Sequence, residues 1–197
     1  MLYYQEITLI DQTEISLYFI WSKLYTQLHL AFVEHKDEQE KIHYGVSFPQ
    51  YRIDEKKHIG FLGSKIRIFA NSENELQQLY LDKWLDRFTD YVHTTSPREV
   101  PQAKITGYAC YFKANPKLTT AQRIAHQAAR RNISLNEAEA HFKDLNQQPN
   151  AEPYINLKSL SHDIKFRLYI GKTLADEANN EKFGTYGLSR TATVPEF

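Results

Sequence analysis

Apolar and polar residues alternate across residues 3–10, the period of a half-buried strand. Thr13 offers a cap for the next helix, where Leu17, Trp21, Leu24, Leu28 and Ala31 recur at helical spacing. Residues 35–41 form a charged turn. Residues 43–48 are strand-like and stop at Pro49. Residues 59–61 and 65–69 continue as strand around a turn at Gly63. Residues 73–92 carry Leu76, Leu79, Trp84, Leu85 and Phe88 and predict a second amphipathic helix. Residues 104–112 alternate again and predict a fourth strand. The order β-α-β-β-α-β is the ferredoxin-like pattern, expected here over residues 1–112. That pattern serves many activities and names none of them.

Asn115-Pro116 marks a break. A short helix is predicted over residues 119–131 and another over 134–145, where Ser134-Leu-Asn-Glu137 matches a capping box. Residues 146–153 read as a polar linker. Residues 154–160 and 165–169 predict a hairpin, and 184–197 a final strand with an extended end. The expected class is α+β: a ferredoxin-like unit, then a smaller α/β region over 113–197.

Charge enters the picture by its distribution. The 24 Lys and Arg balance the 24 Asp and Glu, so net charge implies no partner. Yet residues 101–136 hold no acid, while Lys104, Lys113, Lys117, Arg123, Arg130 and Arg131 all fall there. On a helix, Arg123, His126 and Arg130 lie at i, i+3 and i+7, on one face, with Arg131 beside them. The arginine fork suits phosphate oxygens and guanine edges. A solvated basic face fits the same residues. An A-form major groove is too narrow for side chains except where a stem ends or opens into a loop, so an RNA partner would be a short hairpin.

The one cysteine, Cys110, sits in an alternating apolar segment and reads as a small buried hydrophobe. No run approaches the roughly 18 apolar residues of a membrane span, and the N-terminus reads as strand rather than leader. A cytoplasmic protein is expected. The eight histidines show no metal-ligand spacing, and neither a P-loop nor a GxSxG elbow is present. His29 lies one position off the apolar stripe of the first helix. A helical histidine of this kind is commonly structural; one with a pKa near neutrality also suits a general base.

Several short segments, taken in order, resemble the subtype I-F CRISPR repeat-processing endoribonucleases. They are Leu28-His29 with Ala31-Phe32-Val33, Gly45-Val-Ser-Phe-Pro49, Leu62-Gly63 with Arg67-Ile68 and Ala70, and Lys113-Ala-Asn-Pro116 before the basic helix. Leu157-Lys-Ser159-Leu-Ser161, Phe166-Arg167-Leu168, Tyr186-Gly-Leu-Ser189, Val194-Pro195 and Phe197 complete the set. The resemblance implies metal-independent cleavage of a repeat hairpin by 2′-hydroxyl attack, with no cofactor. It implies a general base in His29, a 2′-hydroxyl anchor in Ser159, help at the phosphate from Ser161, and support of His29 by Tyr186. Phe166 would stack under the closing base pair. Arg123, Arg130 and Arg131, with His126 and Gln127 on the same helix, would line the hairpin, and Lys113 and Asn115 would touch its foot. The enzyme would keep its crRNA product and join the other subunits of the surveillance complex. The chain departs from the family in its sparser basic helix, which carries Thr119, Thr120, Gln122 and Gln127, and in Tyr108-Ala-Cys-Tyr-Phe112, where Tyr111 is the candidate for base readout. Two alternatives remain: a non-catalytic RNA-binding subunit in which His29 is structural, and a ferredoxin-like metabolite-binding or scaffold protein in which the basic segment is incidental.

Overall fold

The computed structural model describes residues 1–115, 120–142, 151–159 and 162–197. In chain order the elements are β1 (Tyr3–Leu9), α1 (Leu17–Glu34), β2 (Lys41–Ile42), β3 (Gly45–Ser47), β4 (Arg52–Asp54), β5 (Ile59–Phe61) and β6 (Lys65–Ala70). Next come α2 (Glu73–Gln78), α3 (Leu81–Trp84), a 3-10 turn (Asp86–Phe88), β7 (Val92–Thr94), β8 (Arg98–Glu99), a second 3-10 turn (Gln102–Lys104) and β9 (Gly107–Ala114). The chain continues with α4 (Thr120–Arg131), α5 (Leu135–Ala140), β10 (Tyr154–Lys158), β11 (Lys165–Ala175), β12 (Phe183–Gly184) and β13 (Val194–Glu196).

Two antiparallel sheets carry the architecture. The first runs β3-β6-β1-β7, with β8 paired to the start of β1; the second runs β10-β11-β9-β13. The result is a mixed α+β molecule. Of the expected stripe on α1, Trp21, Leu24, Leu28 and Ala31 are at most 4 % exposed and Leu17 is half-buried; Ile20, Tyr25 and Phe32 join them. The core runs without interruption from Ile7, Ile66 and Leu24 to Leu168 and Ile170 of the second sheet. Cys110 is buried as expected, its Sγ 3.4 Å from the Thr191 carbonyl, and burial pushes its thiol pKa up. Among the described residues no helix is long and apolar enough to cross a membrane.

Three expectations are corrected. The first helix begins at Leu17 with Ser16, not Thr13, as its N-cap residue. The expected helix over 73–92 is broken. Ser72 and Glu75 form a full capping box at its start, but Tyr80 adopts a left-handed backbone (φ 48°, ψ 46°) that ends the run after six residues. The remainder becomes α3, a 3-10 turn and β7. Val92 satisfies a helical stripe and a strand alternation equally, so periodicity could not separate them. The third correction stems from the second. β7, not the strand at 104–112, lies beside β1, through Ile7↔Thr94 and Leu9↔Val92. β9 belongs to the second sheet, pairing with β11 (Tyr111↔Lys172) and β13 (Ala109↔Val194). Ala109 and Tyr111 face the shared core, and Cys110 on the opposite face lies against the Thr191 carbonyl, so three consecutive residues are buried.

Tyr80 gives a test of sign. In a continuous helix Tyr80→Gly would cost about 1 kcal/mol. At a left-handed position on a side chain 67 % exposed, the same change relieves backbone strain. Chemical denaturation of Tyr80→Gly should show stability unchanged or raised by up to about 1 kcal/mol.

Candidate active site

His29 is set by two elements, α1 and the turn after β12. Its Nδ1 lies 2.9 Å from the Thr185 carbonyl oxygen, and its ring stacks on Tyr186 with centroids 4.0 Å apart and planes 10° from parallel. One helical turn earlier, the Tyr25 hydroxyl donates to the Tyr186 carbonyl at 2.8 Å. A carbonyl only accepts, so Nδ1 carries the proton and Nε2 keeps its lone pair. Among the described residues Nε2 has no hydrogen-bond partner. Burial lowers the His29 pKa below 6.5, and the bond to Thr185 offsets this only in part. His29 is therefore a neutral imidazole at pH 7 with a free basic nitrogen.

The turn that holds Thr185 and Tyr186 is itself fixed. Gly187 N–H donates to the Gly184 carbonyl at 2.8 Å, Gly184 N–H to Leu188 at 2.9 Å, and Val46 N–H to the Gly187 carbonyl at 3.0 Å. Gly187 has φ +69°, and a Cβ there would stand 2.6 Å from Val46 Cγ1. Glycine is thus demanded by backbone sign and by space. Pairing of β12 with β2 (Phe183↔Ile42) fixes the strand that leads into the turn. Burial also raises the Tyr186 pKa, so its hydroxyl stays protonated at neutral pH.

Ser159 follows β10, which packs against α1. Ser22 Oγ donates to the Asn156 carbonyl at 2.5 Å. Leu17 and Tyr18 face Pro153 and Tyr154 across a cavity of about 690 Å³, so α1 and β10 run in the same direction. As His29 does from Ser22, Ser159 lies on the C-terminal side of Asn156 in this contact. Its N–H donates to the Ile164 carbonyl at 2.8 Å, and its Oγ accepts from His162 N–H at 3.3 Å, closing the β10–β11 turn. Ser161 lies outside the described residues. Phe166 pairs across from Leu157 and shares the core-facing side of β11 with Leu168 and Ile170, but sits at its half-buried end.

On α4, His126, Arg130 and Arg131 are exposed, and Arg123 is half-buried. The helix ends with Asn132 left-handed (φ 51°) and Ile133 N–H donating to Ala128 at 3.1 Å, a Schellman closure. Gln127, half-buried, falls between Arg123 and Arg131 on the same side of the helix, while Ala128 is buried. The helix packs on α5, whose Ser134–Glu137 capping box forms as expected. Arg130 and Arg131 occupy the last turn, where the helix dipole favours cations. Lys113 and Asn115 are exposed at the end of β9. Lys117 lies outside the described residues.

Tyr111 is corrected. It is 1 % exposed, and its hydroxyl donates to Glu196 Oε1 at 3.0 Å and meets the Phe48 carbonyl at 3.2 Å. A ring so enclosed touches no ligand; it joins β9 to β13 and to the core. Residues missed from sequence are Tyr25, one turn before His29, and Arg190, which directly succeeds Tyr186-Gly-Leu-Ser189. Thr185 acts through its backbone and offered no side-chain signal.

The family model for CRISPR-associated protein (Cas_Csy4) matches residues 4–197. This chain belongs to that family. It is 27 % identical over 198 residues to the CRISPR-associated endonuclease Cas6/Csy4 of Escherichia coli (strain UTI89 / UPEC), covering 99 % of both chains. It is 30 % identical over 180 residues to the CRISPR-associated endonuclease Cas6/Csy4 of Pseudomonas aeruginosa (strain UCBPP-PA14), covering 90 % of both. A solved structure described as "An RAMP protein binding different RNA substrates" aligns over 99 % of each chain at 9 % identity with a TM-score of 0.39, too low to read a shared fold from it.

Gly187→Ala should cost at least about 1 kcal/mol of stability in chemical denaturation, because a Cβ meets Val46 at a φ that disfavours side chains. It should also disturb the His29–Tyr186 stack, read from the His29 ring shifts by NMR.

Proposed function

We propose that the chain is a metal-independent endoribonuclease that cleaves CRISPR precursor RNA at the base of its repeat hairpin and keeps the crRNA product. The observation that carries this reading is the state of His29: Nδ1 is committed to the Thr185 carbonyl, and Nε2 is neutral and has no partner among the described residues. That is the form a general base needs. Nε2 takes the proton of the 2′-hydroxyl, the 2′-oxygen bonds to phosphorus, and the bond to the 5′-oxygen breaks. The 5′-oxygen takes a proton from solvent. The products are a 2′,3′-cyclic phosphate and a 5′-hydroxyl. The names of the two bacterial relatives support an endonuclease acting in the CRISPR system.

In this reading Ser159 positions the attacking hydroxyl, supported by its place beyond the Ser22–Asn156 contact on the same side as His29, and Ser161 assists at the phosphate. Tyr186 backs the imidazole. Phe166, at the half-buried end of β11, stacks under the closing pair. Lys113 and Asn115 meet the stem foot, and Arg123, His126, Gln127, Arg130 and Arg131 track the hairpin. Tyr111 takes no part. The N-terminal sheet order β3-β6-β1-β7 supports a ferredoxin-like unit carrying the catalytic helix within residues 1–112, with the RNA-hairpin region in 113–197. The protein acts in the cytoplasm with the other subunits of the subtype I-F surveillance complex.

Single-turnover cleavage of a repeat hairpin in EDTA tests the reading. His29→Ala should lower the rate by about 10²–10⁴-fold with affinity retained. For the wild type, the rate should fall as pH drops and His29 gains its proton. Because burial lowers that pKa, the midpoint of the acid limb should lie below 6.5. Tight binding without cleavage by the wild type would leave a non-catalytic hairpin-binding subunit.

A further inference from the structure

Beside the His29–Tyr186 pair lies a second cavity, of about 520 Å³, between the turn after β12 and the end of β9. Thr185 and Tyr186 form one wall; Lys41, Lys113 and Arg190 supply three cations. Among the described residues none of the three pairs with a carboxylate. The carboxylate in the lining, Glu40, is held by Lys36 at 2.8 Å. The cavity is therefore cationic in a chain whose net charge is zero.

Arg190 is preorganised rather than loose. Its guanidinium lies over the Phe112 ring at 4.4 Å, and Nη2 donates to the Lys113 carbonyl at 3.2 Å. Phe112 can lie flat because Gly171 sits opposite it in β11, where a Cβ would fall 2.5 Å from the ring. The backbone carrying Arg190 is pinned on both sides. Ser189 N–H donates to the Tyr111 carbonyl at 2.8 Å, and Ser189 Oγ accepts from Thr191 and Ala192 N–H at 3.2 and 3.0 Å. With one face on Phe112 and one nitrogen used, the guanidinium presents the remaining donors along its edge. An edge of N–H donors with two ammonium groups nearby fits a phosphate.

Resting on the nuclease reading, we propose that Lys41, Lys113 and Arg190 form a subsite for an RNA backbone phosphate neighbouring the scissile one. The subsite adjoins Tyr186, whose ring is 4.0 Å from His29, so its occupant is close in the strand to the cut. Binding there holds the strand across the junction while α4 tracks the stem. It also gives the unpaired cations of this face a ligand.

The test measures binding by full-length protein of a repeat hairpin made uncleavable by a 2′-deoxy sugar at the cut, over a range of salt. Arg190→Ala and, separately, Lys41→Gln should each weaken binding, Arg190→Ala by about tenfold. Each should lower the slope of log affinity against log salt by about one. Both side chains lie outside the core, and Lys41 Nζ bonds to no described residue, so the two variants fold. Replacing the phosphates around the cut one at a time by neutral methylphosphonates should weaken the wild type at one position and leave Arg190→Ala unaffected there. Wild-type binding with both variants unchanged in affinity and slope overturns the subsite alone. So does a loss in Arg190→Ala that varies with the stem-foot base pair at constant slope, since that marks a base contact. A wild type that binds no hairpin overturns the nuclease reading and the subsite together.

Discussion

The site depends on a single hydrogen bond between halves of the chain that are 156 residues apart, His29 Nδ1 to the Thr185 carbonyl. It fixes the tautomer, and the tautomer decides which nitrogen is basic. The bond exists only while the turn over residues 184–188 keeps its place. That place is set by β12 on β2, by Val46 bonded to Gly187, and by Tyr25 bonded to Tyr186. Each anchor lies on an element already buried in the N-terminal core. The chemistry of α1 is thus completed by backbone from the far end of the sequence.

The C-terminal segment beyond this turn is held as firmly. β13 pairs with β9, Lys172 bonds Glu196 at 2.5 Å, and Tyr111 spends its hydroxyl on the same carboxylate and the Phe48 carbonyl. Arg67 donates to the Phe197 carbonyl at 2.8 Å, stacks on its ring at 4.1 Å, and is itself paired with Glu6. Near the other end of the turn, Lys182 pairs with Asp37 and helps hold its carboxyl down at about 2. Carboxylates are consumed in fastening the termini and turns. The cations left over among the described residues, on α4 and around Arg190, are the groups a polyanion would meet.

Much of this was legible in the sequence. The α1 stripe, the Ser134 capping box, the β10–β11 hairpin and the buried Cys110 come from period and chemistry alone. His29 and Tyr186 were recognisable by resemblance and are brought into contact. The failures have physical causes. Val92 suits a helix stripe and a strand, so the first sheet's edge was misplaced. A left-handed Tyr80 has no composition signal, unlike a glycine. Tyr111 suits base readout only if its face of the strand meets solvent; that face meets the core, where the ring packs on Phe48. Thr185 contributes a carbonyl, which every residue has. Arg190 is defined by what it stacks on, and Phe112 and Gly171 are far from it in sequence.

The central claim is that RNA is cut by its own 2′-hydroxyl with a protein base. It is tested most directly by incubating purified protein in EDTA with two repeat hairpins, one all-ribose and one carrying a single 2′-deoxy sugar at the cut. The expected result is cleavage of the first, with a cyclic phosphate end, and tight binding without cleavage of the second. Cleavage of both, or dependence on added metal for the all-ribose substrate, would contradict it.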